Sequence, residues 1–309
     1  MKEASTSPAS HPGRPAQTAR RQSAAKSVER IMQIVFLICG LIAVAFVLVI
    51  SVYLIISGLP AIREVGLIDF LFGSTWSAKD EQFGILSLIL TSVYGTAGAI
   101  VIGVPIGFFT AVFLAKVAPP KLAAVIRPMV NLLAGIPSVV YGLVGMIVLV
   151  PWIRTTFDLA AGDSLFAAII VLAVMILPSI ISVSETALQA VPREYEEASL
   201  ALGATSLETY LRVSVPAAKS GIAAAVVLGI GRAIGEAMAI IMVAGNVANL
   251  PSLFSSVRFL TTGIAIEMNY ASVGSLQRNA LYSIGLVLFL FIMMINVLLN
   301  MLLKRQKEK

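Results

Sequence analysis

The sequence predicts an all-α polytopic membrane protein with six transmembrane helices, and three observations predict it. Hydrophobic residues make up 58% of the 309 and charged residues 12%, against about 45–50% and about 25% in ordinary globular domains. So few charges cannot cover that much apolar surface in water, and the mean hydropathy of +0.95 agrees. The apolar residues also form continuous runs, where a membrane β-barrel would alternate apolar and polar positions over about 10 residues. Finally, several runs reach the ~20 helical residues needed to cross a hydrocarbon layer of ~30 Å.

Taken in order, residues 1–30 are rich in Ser, Ala, Pro and basic side chains without apolar periodicity. That composition predicts a disordered cytoplasmic tail. It is too long for a signal-peptide n-region, so the tail is expected to stay attached. Six apolar runs follow near 31–57, 84–115, 128–150, 165–188, 221–245 and 279–303, and residues 304–309 form a closing tail. In lipid, only helices or closed barrels satisfy their own backbone groups, so the runs are read as helices. Gly103, Pro105 and Gly107 fall in the second run, Pro137 in the third and Pro178 in the fourth. Membrane helices tolerate such residues because neighbouring groups re-satisfy the freed backbone. The domain organisation is thus one transmembrane domain over 31–303, carrying a cytoplasmic loop at 189–219.

Two counts exclude whole classes of chemistry. Cys39 is the single cysteine and lies in the first apolar run, so no intrachain disulfide can form. His11 is the single histidine and lies in the tail. A His-based triad or a multi-His metal site has no residues to build it. No catalytic residue and no metal ligand is expected.

Orientation follows from the basic residues. With the N-terminus in the cytoplasm, sixteen of the 22 Lys and Arg fall inside. Five fall outside, at Arg63, Lys79, Arg154, Arg258 and Arg278, and Arg232 lies within the fifth run. The split predicts both termini inside. It also explains the pI of about 9.5 without nucleic acid. The outer loop 58–83 carries Phe70, Phe72, Trp76 and Phe83. It reads either as an interfacial helix with aromatics at headgroup depth or as a contact for an external partner.

The loop between the fourth and fifth runs reads VPREYEEASLALGATSLETYLRVSVPAAKSG. Good helix formers fill 194–202, and Gly203 interrupts them. Thr205 or Ser206 can cap a second short helix with Glu208 in its first turn, and Pro216 is expected to end the unit. From these residues alone the loop is either a solvated linker or a rigid element. The spacing then resembles a known family. Glu197-Ala198-Ser199, three residues, Gly203, nine residues and Val213-Ser214-Val215-Pro216 look like the EAA loop of bacterial ABC import permeases. Ser199, Val213 and Val215 are conservative departures. The resemblance implies the type I ABC importer permease fold. It also implies that Glu197, Ala198, Gly203 and Pro216 dock a cytoplasmic ATPase subunit. A short rigid helix can pass on a rigid-body movement. No G-x-x-x-x-G-K-[ST] occurs in the chain, so ATP is expected on another polypeptide and no cofactor on this one.

Arg232 and Glu236 lie mid-way along the fifth run, and in a continuous helix four residues bring them to one face, one turn apart. Gly231 and Gly235 form a small-xxx-small pair that lets another helix approach closely. Charges at that depth cost ~2.5–3.5 kcal/mol on insertion scales and must face protein or a wet cavity. They read either as a structural ion pair or as the lining of an anion path, for which the planar fork of Arg is suited. The stretches GIGRAIGEAMAIIMVAGN, FLFGSTWSAKDEQFGIL and GIPSVVYGLVG resemble the PstC family, permease subunits of phosphate-specific ABC importers, over most of the chain from about residue 31. The sister PstA family is the nearest confusable relative. The resemblance implies phosphate import across the bacterial inner membrane. It implies partnership with a second permease subunit (PstA-like), an ATPase dimer (PstB-like) and an external phosphate-binding protein (PstS-like). An ABC permease for sulfate or molybdate and an ATP-independent secondary transporter are the rival readings.

Overall fold

The computed structural model describes residues 15–307, with side chains described over 29–297 and at 301. Expectations for residues 1–14, including His11, and for 308–309 lie outside the described residues. The chain forms two compact units, one up to Tyr53 and one from Leu54.

Helix α1 runs Pro15–Val65. Residues 15–30 are therefore helical where the sequence predicted a disordered tail. Ala, Gln and Arg recur in that stretch, with one Lys and one Glu, and good helix formers extend an existing helix without a new nucleus. Beyond Gly66, at φ +91°, come α2 (Leu67–Phe72) and a hairpin of β1 (Trp76–Ser77) and β2 (Gln82–Phe83), with Trp76 opposite Phe83. A helix was expected in this loop, but its aromatics are not all at an interface. Phe70 and Phe83 are buried with Ile85, Leu88, Leu281 and Ile284, and only Phe72 is largely exposed.

Helix α3 (Leu86–Val112) continues through a π turn at Phe113–Val117. Next come α4 (Pro120–Gly135), then α5 (Ser138–Val144), a π turn at Gly145–Leu149 and α6 (Val150–Thr156). The third span is therefore Ser138–Thr156, and not 128–150. Ile136 is extended at φ −71°, ψ 127° because a residue before proline is pushed out of the helical region. Helix α7 (Leu165–Gln189) starts at Ser164, whose hydroxyl accepts from the Ala167 amide. Short elements follow: α8 (Arg193–Ala201), α9 (Ser206–Thr209), a π turn at Tyr210–Ser214 and α10 (Val215–Ala217). The chain closes with α11 (Lys219–Gly235), α12 (Met238–Val243), α13 (Leu260–Glu267) and α14 (Leu276–Lys307).

Among the described residues, five helices are long and apolar enough to cross a membrane: Glu29–Val65, Leu86–Val117, Ser138–Thr156, Leu165–Gln189 and Leu276–Val297. The expected fifth run, 221–245, is not one helix. Its first part pairs with the preceding segment as Ser206–Ala217 and Lys219–Gly235, bent by 71°, and counts as a sixth span only if the pair is taken together. The bend sits at Ala218, φ −86° and ψ 2°, two residues beyond Pro216. Pro216 thus stands one residue before the end of the loop unit, which closes at Ala217. Its ring would crowd the carbonyl four residues back, and the wide π turn before it relieves that contact.

The core of the second unit is α7, flanked by α3 and α11. Gly98, Gly103 and Gly107 of α3 leave room for Ile169, Ile176 and Ile180 of α7. A Cβ at these positions would meet the isoleucines at 2.7, 2.7 and 2.8 Å. Gly229 of α11 approaches the other side of Ile180, where a Cβ would lie at 3.1 Å. Small residues against branched ones let membrane helices pack closely by van der Waals contact.

Candidate functional site

Two clusters hold the site residues expected from sequence. In the loop 189–219, α8 and α9 are separated by Gly203 at φ +88°. The left-handed region favours glycine, and a Cβ here would meet nothing within 4 Å, so the constraint is on the backbone alone. Thr205 caps α9 by accepting from the Glu208 amide, and the Glu208 carboxylate accepts from the Thr205 amide at 3.1 Å. This reciprocal capping box satisfies two otherwise orphan donors. The backbone and hydroxyl of Thr205, then the charge of Arg212, hold the Glu208 carboxyl below the ordinary glutamate range.

Helix α8 divides its residues between two faces. Glu197, Ala198, Gly203 and Pro216 are all exposed, with Leu200, Leu207 and Leu211 around them and Leu202 90% exposed. Glu196 and Ser199 turn the other way. Ser199 shares a 2.9 Å hydrogen bond with Thr209. Glu196 accepts from Lys116 at 2.5 Å and from Ser214 at 2.7 Å. Burial pushes the Glu196 carboxyl up, but the bonds from Lys116 and Ser214 and the charges of Lys116 and Arg193 outweigh this and hold it low. Apolar contacts among Ala111, Val112, Leu188, Val191 and Ala218 seat the base of the loop.

The second cluster surrounds the end of α11. Arg232 lies in its last turn, where a cation suits the helix dipole. Its guanidinium donates to Ser179 of α7 at 3.4 Å and lies within electrostatic reach of Tyr141 of α5. Glu236 is not one turn further along the same face. The chain leaves the helix after Gly235, and Glu236 is extended at φ −74°, ψ 133°. Its Oε1 accepts from the Ala239 amide at 3.0 Å, and its backbone carbonyl accepts from the Thr261 hydroxyl at 2.7 Å. No Arg232–Glu236 ion pair is present among the described residues. The helix breaks here because a carboxylate and a hydroxyl take over freed backbone groups, as lipid-embedded chains require. The Gly231–Gly235 pair was expected to admit a neighbouring helix. Nothing among the described residues lies within 4 Å of either Cβ position, while Gly142 of α5 abuts Ala239 of α12.

Several polar residues were not singled out from sequence. Tyr141, Ser179 and Thr261 gave no pattern to find. Glu185 could have been found as a carboxylate in the otherwise apolar run 165–188. It receives Arg127 at 2.5 Å and Gln189 at 3.0 Å. Glu267 pairs with Arg258 and accepts from Trp76 at 2.8 Å and Gln277 at 3.1 Å. It thereby ties the hairpin, the segment after α12 and α13 to α14.

The family described as "Binding-protein-dependent transport system inner membrane component" matches residues 103–308. The chain is 42% identical over 269 residues to the probable ABC transporter permease protein YqgH of Bacillus subtilis, covering 84% of this chain and 87% of that one. It is 35% identical over 279 residues to the phosphate transport system permease protein PstC of Haemophilus influenzae, covering 84% and 88%. Among solved structures, it resembles the inward-facing MetNI methionine ABC transporter, with TM-score 0.58, 20% identity and coverage of 74% and 99%. A bacterial alginate ABC transporter matches with TM-score 0.59, 15% identity and coverage of 90% and 94%. These two likenesses concern the fold alone.

Proposed function

The chain belongs to the family of binding-protein-dependent transport system inner membrane components, multi-pass ABC importer permeases, and we propose that it carries inorganic phosphate inward. Relatives named as phosphate permeases at 32–35% identity over most of the chain support that substrate. The observation that carries the reading is the placement of Arg232. Its guanidinium sits where α11 breaks, beside Ser179 and Tyr141, as a planar donor at the end of a membrane helix. A bidentate fork suits a tetrahedral oxyanion, and the Ser179 hydroxyl, which accepts from Arg232, can donate to one of its oxygens, while the Tyr141 hydroxyl donates to the Leu133 carbonyl.

In this reading both termini are cytoplasmic, and the exposed face of α8 with Glu197, Ala198, Gly203 and Pro216 docks an ATPase dimer (PstB-like). ATP is bound there, this chain binds no cofactor, and this chain is not an enzyme. A second permease subunit (PstA-like) completes the path, and an external phosphate-binding protein (PstS-like) delivers the anion. Arg232 and Glu236 line the route.

Right-side-out vesicles carrying the complete importer test this. Radiolabelled phosphate should accumulate when ATP is trapped inside and not when ADP replaces it. Equal accumulation with ADP would make the chain a secondary transporter instead.

A further inference from the structure

The exposed face of α8 explains contact with a partner but not how movement there reaches the membrane helices. Apolar burial is non-directional, so the contacts around Val191 and Ala218 alone would let α8 slide. The directional link is on its other face. One carboxylate oxygen of Glu196 takes both Lys116, in the π turn that ends α3, and Ser214, in the π turn that leads to α11. The side chains of Lys116 and Glu196 are 11% and 18% exposed, and Ser214 is buried. A shielded, charge-assisted contact of this kind is short and strong for its size. The Ser199–Thr209 bond, by contrast, ties the loop only to itself. Helices α3 and α11 both pack on α7, and α11 carries Arg232 in its last turn.

We propose that Glu196 is a positioning residue that couples α8 to α3 and α11 at once, through Lys116 and Ser214, so that displacement of the docking face moves the helix carrying Arg232. This rests on the reading of α8 as the ATPase dock. Glu196 itself faces away from the dock, so its loss should uncouple the subunits without separating them.

The test uses the complete importer, purified and placed in liposomes, with phosphate uptake and ATP hydrolysis measured together. In Glu196→Gln and in Lys116→Met the ATPase subunits should still co-purify. Phosphate moved per ATP should fall about tenfold, within the usual range of coupling between sites. The exchanged pair Glu196→Lys with Lys116→Glu should recover most of that ratio, since the Ser214 hydroxyl accepts as well as donates. An unchanged ratio in both single variants overturns the proposal, as does loss of the ATPase from both without recovery in the exchanged pair. Leu202→Asp serves as the separate check on the dock. If ATPase still binds that variant and the Gly203→Val variant, the docking reading fails, whatever Glu196 does.

Discussion

Arg232 and Glu236 sit four residues apart and serve different elements. The guanidinium of Arg232 reaches across to Ser179 of α7 at 3.4 Å, while the Glu236 carboxylate turns onto the Ala239 amide at 3.0 Å. The helix ends between them, so neither neutralises the other. Among the described residues, the Arg232 side chain donates only to Ser179 and the Glu236 carboxylate accepts only through Oε1.

Arg232→Lys should insert normally and transport poorly, because a point charge cannot reproduce the bidentate fork. Uptake should fall at least about tenfold, the loss of roughly one charge-assisted hydrogen bond. Arg232→Ala with Glu236→Ala should be no better than Arg232→Ala alone, since there is no pair to relieve. Recovery of uptake in the double variant would restore the structural ion pair as the explanation.

For Glu236, the capping bond and the other carboxylate oxygen separate two effects. Glu236→Ala should lower stability by about 0.5–2 kcal/mol, the range for losing a side-chain acceptor at a helix N-terminus, since Glu236 precedes the N-cap Ala237 and takes the Ala239 amide. Glu236→Gln keeps a carbonyl oxygen for the Ala239 amide but replaces an acceptor with an N–H donor. Inorganic phosphate near neutral pH carries a proton that an ionised carboxylate can accept, whereas sulfate carries none. In a background that transports without the binding protein, Glu236→Gln should admit more sulfate relative to phosphate. A ratio equal to the parent's would leave Glu236 as a cap only.

Gly203 is tested by conformation, because its Cβ position is open. Gly203→Val should strain the left-handed turn by roughly 1–2 kcal/mol and abolish ATPase co-purification while leaving the protein in the membrane. Gly203→Asn should retain binding, since Asn tolerates this region. Equal behaviour of the two variants would show that the backbone angle does not matter.

The Glu196 carboxyl is held below its ordinary value, so its contribution is present above the unfolded value of about 4.3 and is lost as pH falls through the lowered one. Hydrogen-exchange protection of residues 193–217 should therefore persist through pH 5. In Lys116→Met, burial is no longer offset by the ammonium, and protection should be lost at higher pH than in the parent. An identical profile in the two proteins would contradict this.

Glu267 should be costly to remove. Its side chain and that of Arg258 are 15% and 17% exposed, so Glu267→Ala leaves the Arg258 Nη1 and the Trp76 N–H without their acceptor, while the Arg258 Nε keeps the Asn246 carbonyl. The expected loss is about 3 kcal/mol, the low end for breaking a buried pair. It should be read as a lower unfolding temperature with altered Trp76 fluorescence in a Trp152→Phe background. Unchanged fluorescence would mean that the hairpin does not depend on Glu267.

The fold class was legible because lipid imposes one rule on every residue of a span, and composition records it. A cap at Thr205 or Ser206 with Glu208 in the first turn, and the turn at Gly203, were legible because both act within four residues, and the structure places the cap at Thr205. What escaped was set by distant partners. Nothing near Glu236 announces that Thr261 will take its carbonyl, so the run 221–245 reads as one helix. Pro137 was read as a tolerated kink, although the extended Ile136 before it ends α4. Glu196 reads as one more acid beside the EAA pattern, since Lys116 lies far back in the chain.

The central claim is that this chain conducts phosphate in an ATP-driven importer, with Arg232 as the anion contact. Uptake of radiolabelled phosphate into ATP-loaded vesicles, competed by unlabelled phosphate or by sulfate, tests it most directly. Unlabelled phosphate should suppress uptake by the parent and excess sulfate should not, while the Arg232→Lys importer should take up little label although fully assembled. Suppression by sulfate as strong as by phosphate, or full uptake by the Arg232→Lys importer, would contradict the account.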